Sequence, residues 1–355
     1  MGLQDQNIIA DILYFDGKIC TLEDSQPWAE AIACKDGKIL AFGSVESLNC
    51  HIGDHTEKIS LSENYLLPGF IEALHSPIYG FFEEYIQLRL YSDWTISRVL
   101  KEVDAYVFEN PFTDLYFFYG YDPHLHEEIS DEEMTLSLDT YATDRPIILL
   151  SEDGLSAWMN TCAKDQVELA EKQSGNSPLT FDEVLSIFSP FDKESAKETI
   201  LEITDDLCRQ GYTSVFEGKQ PAYFTKTYRQ ISAEAFGAEE AKQRLCSLSA
   251  TEALTESIVG DEETEASVGL TPKKVILQRT KEAAQKLNLE KDLGTIAPGK
   301  FADFAVFEEN PFTFVPKKKN ILPDAIITIL NGHVVYDSEQ EQMEELFSLM
   351  SAQQF

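Results

Sequence analysis

The stretch LLPGFIEALHSPI, residues 66–78, closes an apolar run with one acidic side chain and one imidazole, Glu72 and His75. Carboxylates and imidazoles hold zinc in metal-dependent hydrolases, where about three protein ligands leave one position for water. The run predicts a buried strand that is interrupted at Pro68–Gly69, because neither residue suits a strand interior. A metal site at this strand end is the first hypothesis that the sequence raises.

Three more side chains could supply ligands to a metal. His124 and His126 in YDPHLHEE have His-x-His spacing and acidic neighbours, and Glu217 closes the strand-like run YTSVFE. A lone His-x-His pair without other convergent ligands is a weak signal, so we interpret this segment as an exposed acidic loop. Glu72 is expected to hydrogen-bond the adjacent turn. The weak metal candidates are therefore Glu72, His75, His124, His126 and Glu217.

The charge balance excludes two classes of partner. The 355 residues carry 28 basic and 62 acidic side chains, a formal charge of −34, which repels nucleic-acid phosphates and anionic lipid heads. No apolar run reaches the roughly 20 residues that cross a bilayer, and the start MGLQDQNIIADI lacks a signal-peptide pattern. We expect a cytoplasmic protein that binds neither nucleic acid nor membrane, with its six separated cysteines as reduced thiols.

Both ends of the chain have the pattern of short strands joined by tight turns. ADILYFDGKICTL and AIACKDGKILAFG each place Asp-Gly-Lys between two β-rich runs, which predicts two hairpins with turns at residues 16–18 and 36–38. The C-terminal side repeats the pattern, with a turn at Asn331–Gly332. Because a lone hairpin is only marginally stable, the two ends are expected to complete one sheet system.

The middle of the chain alternates apolar strand-like runs with helical stretches, which favours parallel strands. Helices are expected around FDEVLSIFSPF and KESAKETILEITDDLCRQ. A further helix is expected after Thr271 as the N-cap, with Pro272 as its first residue. Residues 254–269 are acidic and lack periodicity, so they are expected to form a linker or an exposed loop.

Several of these blocks, in the same order, resemble the amidohydrolase superfamily, especially its branch of N-substituted formamide deformylase and relatives (amidohydrolase family 3). ADILYFDGKICTLED and LLPGFIEALHSP resemble the opening strands and first barrel strand of that branch, and GTIAPGKFADFAVFEENPF resembles its closing strands. GYDPH, DRPIILLSEDGLSAWMNTCA and LCRQGYTSVFEG also match in order. The resemblance covers residues 8–218 and 270–337.

The resemblance implies a fold and an activity. The fold is α/β, with a composite β-sandwich from residues 1–67 and 293–340 and a reduced, incomplete (β/α) TIM-like barrel remnant at 68–292. Family members hydrolyse non-peptide C–N bonds with one or two divalent ions at the C-terminal mouth of the barrel. The ion lowers the pKa of bound water and polarises the carbonyl.

This chain departs from the family at the positions that hold the metal. The resemblance places family histidines at four positions where other residues stand, namely Leu74, Ser76, Leu155 and Phe216. His75 falls between two of these positions, and on an extended strand its side chain would point to the opposite face.

The remaining barrel also lacks room. Residues 219–269 separate Glu217 from the C-terminal helix, whereas four further β/α units of about 30 residues each would need roughly 120. No histidine lies between His126 and His333. We therefore expect a degenerate amidohydrolase that is inactive or impaired, with no catalytic residue and no cofactor.

Two alternatives stay open. One is an active metal-dependent amidohydrolase whose site is rearranged around the five weak candidates, with zinc as its cofactor. The other is a fragment of a once longer gene, although the matched C-terminal blocks speak against simple truncation. For the degenerate protein we expect a small-molecule ligand or a protein partner, and a homodimer that covers strands left open at the broken barrel edge.

Overall fold

The computed structural model shows a mixed α/β fold, as the sequence predicts. The described residues are 8–72, 82, 85–188, 193–217, 223, 226–228, 230–231, 244–247, 271–315 and 321–343. The chain divides into two compact units, of which the first comprises residues 1–76, 201–218 and 238–355 and the second comprises residues 77–200 and 219–237. The predicted linker at 254–269 lies outside the described residues.

Strands dominate both chain ends, and helices alternate with strands between them. The strands are β1 (Ile12–Cys20), β2 (Trp28–Lys35), β3 (Lys38–Gly43), β4 (Glu57–Ser60), β5 (Tyr65–Pro68), β6 (Phe70–Glu72), β7 (Leu88–Arg89), β8 (Tyr116–Tyr121), β9 (Ile147–Ser151), β10 (Ala157–Met159), β11 (Tyr212–Glu217), β12 (Arg244–Ser247), β13 (Phe304–Phe307), β14 (Ile327–Leu330) and β15 (His333–Asp337). The helices are α1 (Ile96–Glu109), α2 (Asp131–Asp139), α3 (Thr161–Ser174), α4 (Phe181–Ile187), α5 (Lys193–Arg209), α6 (Pro272–Leu277) and α7 (Ala283–Lys286). A π segment, Gln278–Glu282, joins α6 to α7, and 3₁₀ turns lie at Asn49–His51 and Pro123–Glu127.

The first unit contains an eight-stranded sheet built from both ends of the chain. Its strand order is β15-β14-β13-β5-β1-β2-β3, and β4 pairs with β1 outside this path. Strand β5 is parallel to β1 on one edge and antiparallel to β13 on the other. The N-terminal and C-terminal strands therefore share one hydrogen-bonded sheet, while the further division into a β-sandwich and a barrel remnant stays a prediction.

Two of the three predicted tight turns are confirmed. Asp36–Gly37 joins β2 to β3 with φ values of 50° and 73°, and Asn331–Gly332 joins β14 to β15 with φ values of 52° and 79°. Positive φ at both central residues defines the type I′ turn, whose twist matches that of antiparallel strands. Asn, Asp and Gly adopt this conformation at the lowest cost, so the dipeptides locate the turns correctly.

The predicted hairpin at Asp16-Gly17-Lys18 is wrong. Strand β1 runs through these residues, and its pairing with β2 shifts between Phe15 and Ile19, which marks a bulge. At this bulge β1 exchanges its parallel partner β4 for β5. A Cβ at Gly17 would lie 2.6 Å from Leu61 Cδ1, so packing against Leu61 favours glycine here.

The first unit also holds a three-stranded parallel sheet in the order β12-β11-β6. Ile71 of β6 packs in one buried cluster with Ala283, Ala284 and Leu287 of the helical segment. That segment begins as predicted, since the Thr271 hydroxyl accepts a hydrogen bond from the Lys274 N–H and Pro272 is the first helical residue. The strand that follows β5 in the sequence, β6, thus belongs to a sheet of parallel strands.

The second unit contains a four-stranded sheet in the order β10-β9-β8-β7. Strands β7, β8 and β9 are parallel, and β10 is antiparallel to β9. All side chains of β8 and β9 are buried, as expected for parallel strands covered on both faces. The predicted β-α alternation is confirmed here, as are the helices α4 and α5, whereas an incomplete barrel stays a prediction.

Among the described residues, no helix has the length and apolar character needed to cross a membrane.

The shared sheet leads to a test on Tyr14, which is fully buried on β1. Burial raises the pKa of Tyr14, so its hydroxyl stays protonated and donates to the Gly332 carbonyl at 2.9 Å. Tyr14→Phe leaves that buried carbonyl without its donor, and we expect the free energy of unfolding to fall by about 1–2 kcal/mol in urea titrations.

The control for Tyr14→Phe is Tyr91→Phe. Tyr91 is 53% exposed, and its hydroxyl has no hydrogen-bond partner in the described part of the chain. We expect that variant to change the free energy of unfolding by less than about 0.5 kcal/mol. If both variants lost the same free energy of unfolding, the result would contradict a stabilising hydrogen bond from Tyr14 to Gly332 between the two ends of the chain.

Candidate functional site

The ends of β6 and β11 bring two acidic candidates to one edge of the parallel sheet. Glu72 is the last residue of β6, is only 5% exposed, and lies in register with Val215 of β11. Glu217 ends β11 two residues after Val215. From strand spacing and rise, the two Cα atoms are about 8 Å apart at the C-terminal edge of the sheet. His75 lies outside the described residues.

Two buried hydroxyls, which the sequence did not single out, lie in the first half of β11, beside Gly69 and Ile71. The side-chain oxygens of Thr213 and Ser214 are buried and have no hydrogen-bond partner among the described residues. A Cβ at Gly69 would lie 2.1 Å from Thr213 Oγ1, so Gly69 allows the chain leaving β5 to pass close to β11. A buried hydroxyl without a partner is uncommon, and these two lie along β11 before the edge that carries the two acidic residues.

Among the described residues, this edge carries two acidic residues, Glu72 and Glu217, toward the ligand set of a catalytic zinc ion. Such an ion takes about three protein ligands, most often imidazoles together with a carboxylate. Within the described ranges, no three His, Cys, Asp or Glu side chains come together in a group that could hold a metal. Glu72 and Glu217 are acidic groups that suit a hard cation better than zinc.

The two histidines of YDPHLHEE have separate environments. They lie in the 3₁₀ turn Pro123–Glu127, in which residues two apart project in different directions because there are three residues per turn. The His124 side chain is 83% exposed, and its Nδ1 is 3.7 Å from Glu127 Oε1. The His126 side chain is 27% exposed, and its Nδ1 is 3.0 Å from Asp131 Oδ1. The two imidazoles therefore do not converge. Side chains two residues apart on a β-strand would instead have pointed to the same face.

His126 belongs to an aromatic cluster that sequence reasoning missed. Tyr121 and Trp158 stack with ring centroids 4.1 Å apart and planes 9° apart, and the His126 ring lies 4.5 Å from that of Trp158. Burial raises the pKa of Tyr121, so its hydroxyl is a proton donor, and it lies 2.8 Å from His126 Nε2. Both ring nitrogens of His126 thus have a hydrogen-bond partner, Tyr121 at Nε2 and Asp131 at Nδ1, and these two contacts orient the ring.

This cluster is best understood as a structural support for the turn after β8. Tyr121 ends β8, and Asp131 opens α2 directly after its N-cap, Ser130. The one signal in the sequence was the Ser-x-x-Glu capping box at 130–133, which marks the start of α2. The stacking partner Trp158 is far along the chain, so no local pattern could have revealed it.

The loop after β9 contains Asp153, Gly154 and Leu155, which the resemblance aligns with an Asp-Gly-His sequence of the family. Asp153 Oδ1 accepts hydrogen bonds from the Ser151 hydroxyl at 2.6 Å and from the Leu155 N–H at 3.0 Å. Leu155, which stands where the resemblance places a histidine, is 73% exposed. The side chain of Phe216, at the other such position on β11, is not among the described ones.

Comparison with known proteins supports the superfamily on a limited part of the chain. Residues 248–336 match the profile of a family described as "Amidohydrolase family". This match supports the amidohydrolase superfamily and does not test the formamide deformylase-like branch.

Two curated relatives are similar to shorter segments. The "Exoenzymes regulatory protein AepA" of Pectobacterium carotovorum subsp. carotovorum is 25% identical over 165 residues, which are 46% of this chain and 36% of that protein. The "Protein LONG AFTER FAR-RED 3" of Arabidopsis thaliana is 38% identical over 66 residues, which are 19% of this chain and 11% of that protein. The chain thus covers about a third of the first relative and about a ninth of the second.

One solved structure is similar over most of the chain at low identity. It is an uncharacterised metal-dependent hydrolase from Pyrococcus furiosus, 12% identical, with 85% of this chain and 100% of that chain covered and a TM-score of 0.38.

A matched pair of variants tests the role of the histidines. His126→Ala removes the contacts to Tyr121, Asp131 and Trp158, and we expect it to lower the free energy of unfolding by about 1–3 kcal/mol in urea titrations. His124→Ala, two residues away and exposed, should change it by less than about 0.5 kcal/mol. Excess zinc should not alter this difference. If zinc stabilised the wild type but neither variant, the two histidines would be a metal site after all.

Proposed function

We propose that this chain is an amidohydrolase-superfamily protein in which metal-dependent hydrolysis of non-peptide C–N bonds is lost or impaired. What remains is binding of a small molecule or of a protein partner. The observation that carries the proposal is the residue type at the described strand ends: β6 and β11 of the first unit close on Glu72 and Glu217, and β8 and β9 of the second unit close on Tyr121 and Ser151. None of these is an imidazole, and a catalytic zinc site depends on imidazoles.

Local structure adds to this argument. Leu155, at a family histidine position, is exposed in a loop that is closed by hydrogen bonds to Asp153. His126, which might have replaced a missing ligand, uses both ring nitrogens on protein partners. A metal-binding imidazole needs one nitrogen with a lone pair available, so His126 would have to leave Tyr121 first.

The wider family context favours a binding role. The family profile matches residues 248–336, and the first curated relative bears the name of a regulatory protein. We extend that regulatory character to this chain as part of the proposal. The formamide deformylase-like ancestry, the composite β-sandwich with a barrel remnant, the cytoplasmic location and a homodimer belong to the same proposal.

The alternative is an active hydrolase with a rearranged site. The register of β6 and β11 favours it, because Glu72 and Glu217 lie at the same edge of one sheet. His75 would have to join them, and His124 and His126 are the other candidates for its ligands. Zinc would then be the cofactor and would activate a water molecule.

Metal content separates the two proposals. We expect the purified protein, after dialysis against a mild chelator, to hold less than about 0.1 zinc per chain and to hydrolyse no N-acyl or N-formyl amine above background, with or without added zinc or manganese. The physical reason is ligand number, since fewer than about three ligands do not retain zinc.

The controls use three isosteric variants. Glu72→Gln and Glu217→Gln neutralise the two acidic residues at the sheet edge, and Glu128→Gln neutralises an exposed carboxylate elsewhere. All three should behave as the wild type does in metal analysis. The proposed loss of the metal site would be contradicted if the wild type held one ion tightly per chain and if Glu72→Gln and Glu217→Gln lost this ion while Glu128→Gln kept it. That result would support the hydrolase with a rearranged site.

A further inference from the structure

The pentapeptide Glu-Asn-Pro-Phe-Thr occurs twice in the chain, at residues 109–113 and 309–313. Both copies form the same turn. The Thr113 N–H donates to the Asn110 carbonyl at 3.3 Å, and the Thr313 N–H donates to the Asn310 carbonyl at 3.2 Å. Proline at the second position of such a turn fixes its backbone, so each copy holds its phenylalanine in a defined place.

In the second copy of the pentapeptide, the phenylalanine packs against an aromatic side chain of the same chain. Phe312 packs edge-on against the indole of Trp28, with ring centroids 6.0 Å apart and planes 67° apart. Edge-to-face packing brings the positive edge of one ring to the negative face of another. Phe312 also packs against a buried cluster that includes Leu67 and Phe307. Within this chain, the turn thus places its phenyl group against an aromatic side chain beside an apolar cluster.

The first copy presents the same phenyl group to solvent. Phe112 is 93% exposed, and Phe108, one helical turn earlier at the end of α1, is 82% exposed. We call these two side chains and the turn between them the Phe112 knob. Two large apolar rings this exposed and four residues apart in sequence differ from the single apolar residues that are scattered over ordinary surfaces.

The knob is held rigidly from beneath. Asn110 Nδ2 donates to the Tyr106 carbonyl at 2.9 Å, and the Tyr116 hydroxyl donates to the Asn110 carbonyl at 2.8 Å. Arg145 Nη1 donates to the Pro111 carbonyl. A preorganised loop loses little conformational entropy on binding. Most of the free energy gained by burying the two phenyl groups can therefore contribute to the affinity.

We propose that the Phe112 knob docks into a pocket on a separate protein, and that this pocket carries an aromatic ring and a basic rim. The ring follows from the seat of Phe312 on Trp28. The basic rim follows from charge, because Glu109 and Asp114 are exposed beside the knob and would attract basic side chains. The nearby Arg145 already donates to the Pro111 carbonyl and lies 3.8 Å from Asp144.

The same charges argue against two other occupants. A second copy docked through the same surface would bring Glu109 and Asp114 against their own counterparts, and an anionic lipid surface would repel this acidic flank of the knob. The surface lies in the second unit and does not use the edge of β6 and β11, so the inference does not rest on the loss of the metal site.

Site-specific photocrosslinking tests the proposal in the full chain. Benzoylphenylalanine placed at position 112 keeps an aromatic ring in the knob, and the same group at position 136 replaces the exposed Leu136 as the matched control. In cells of the source organism, we expect position 112 to crosslink to one site on one other protein, mapped by mass spectrometry beside an aromatic side chain and Lys or Arg residues. Position 136 should not give that crosslink.

Binding to the protein identified in this way completes the test. Phe112→Ala should weaken the affinity at least tenfold, Phe112→Tyr should stay within about threefold, and Phe312→Ala should leave the affinity unchanged. The proposal is overturned if position 112 crosslinks to a second copy of this chain, to lipid, to the same targets as position 136 or to nothing. It is also overturned if Phe112→Ala binds as tightly as the wild type.

Discussion

The first unit depends on the pairing of strand β5 along both of its edges. On one edge Lys18 and Ile19 of β1 run parallel to it, and on the other edge Phe304–Phe307 of β13 run antiparallel to it. Its alternating side chains enter two buried clusters, Leu66 in one and Leu67 in the other. Because buried backbone groups need partners, neither end of the chain can complete this sheet without the other.

The same strand sets the position of the candidate site. After Pro68 the chain leaves the eight-stranded sheet at Gly69, whose N–H donates to the Asp303 carbonyl, and it enters the parallel sheet at Phe70, whose N–H donates to the Gly211 carbonyl. Three residues of β6 then carry Glu72 to the sheet edge. A buried carboxylate is thus present at the end of a parallel strand, and the proposed loss of function concerns the side chains around it.

The features that were predicted correctly from the sequence are those that depend on the residue types within one short segment. Asn331–Gly332 and the Thr271 cap were found because their residue types match one backbone conformation. Gly17 was misassigned, since its packing against Leu61 comes from a distant strand contact that no local pattern contains. The histidine pair was expected on a loop, but the stacking of Tyr121 on Trp158 that fixes His126 is a long-range contact, and only the structure could reveal it.

The most direct test of the proposed loss of the metal site is a crystal structure of the full chain grown with excess zinc, with anomalous scattering recorded at the zinc edge. The account predicts no ion bound at the end of β6 and β11, and Glu72 buried without a metal contact. An anomalous peak there with three or more protein ligands at about 2.0–2.2 Å would contradict it. Ligands that included His75 would establish the rearranged hydrolase instead.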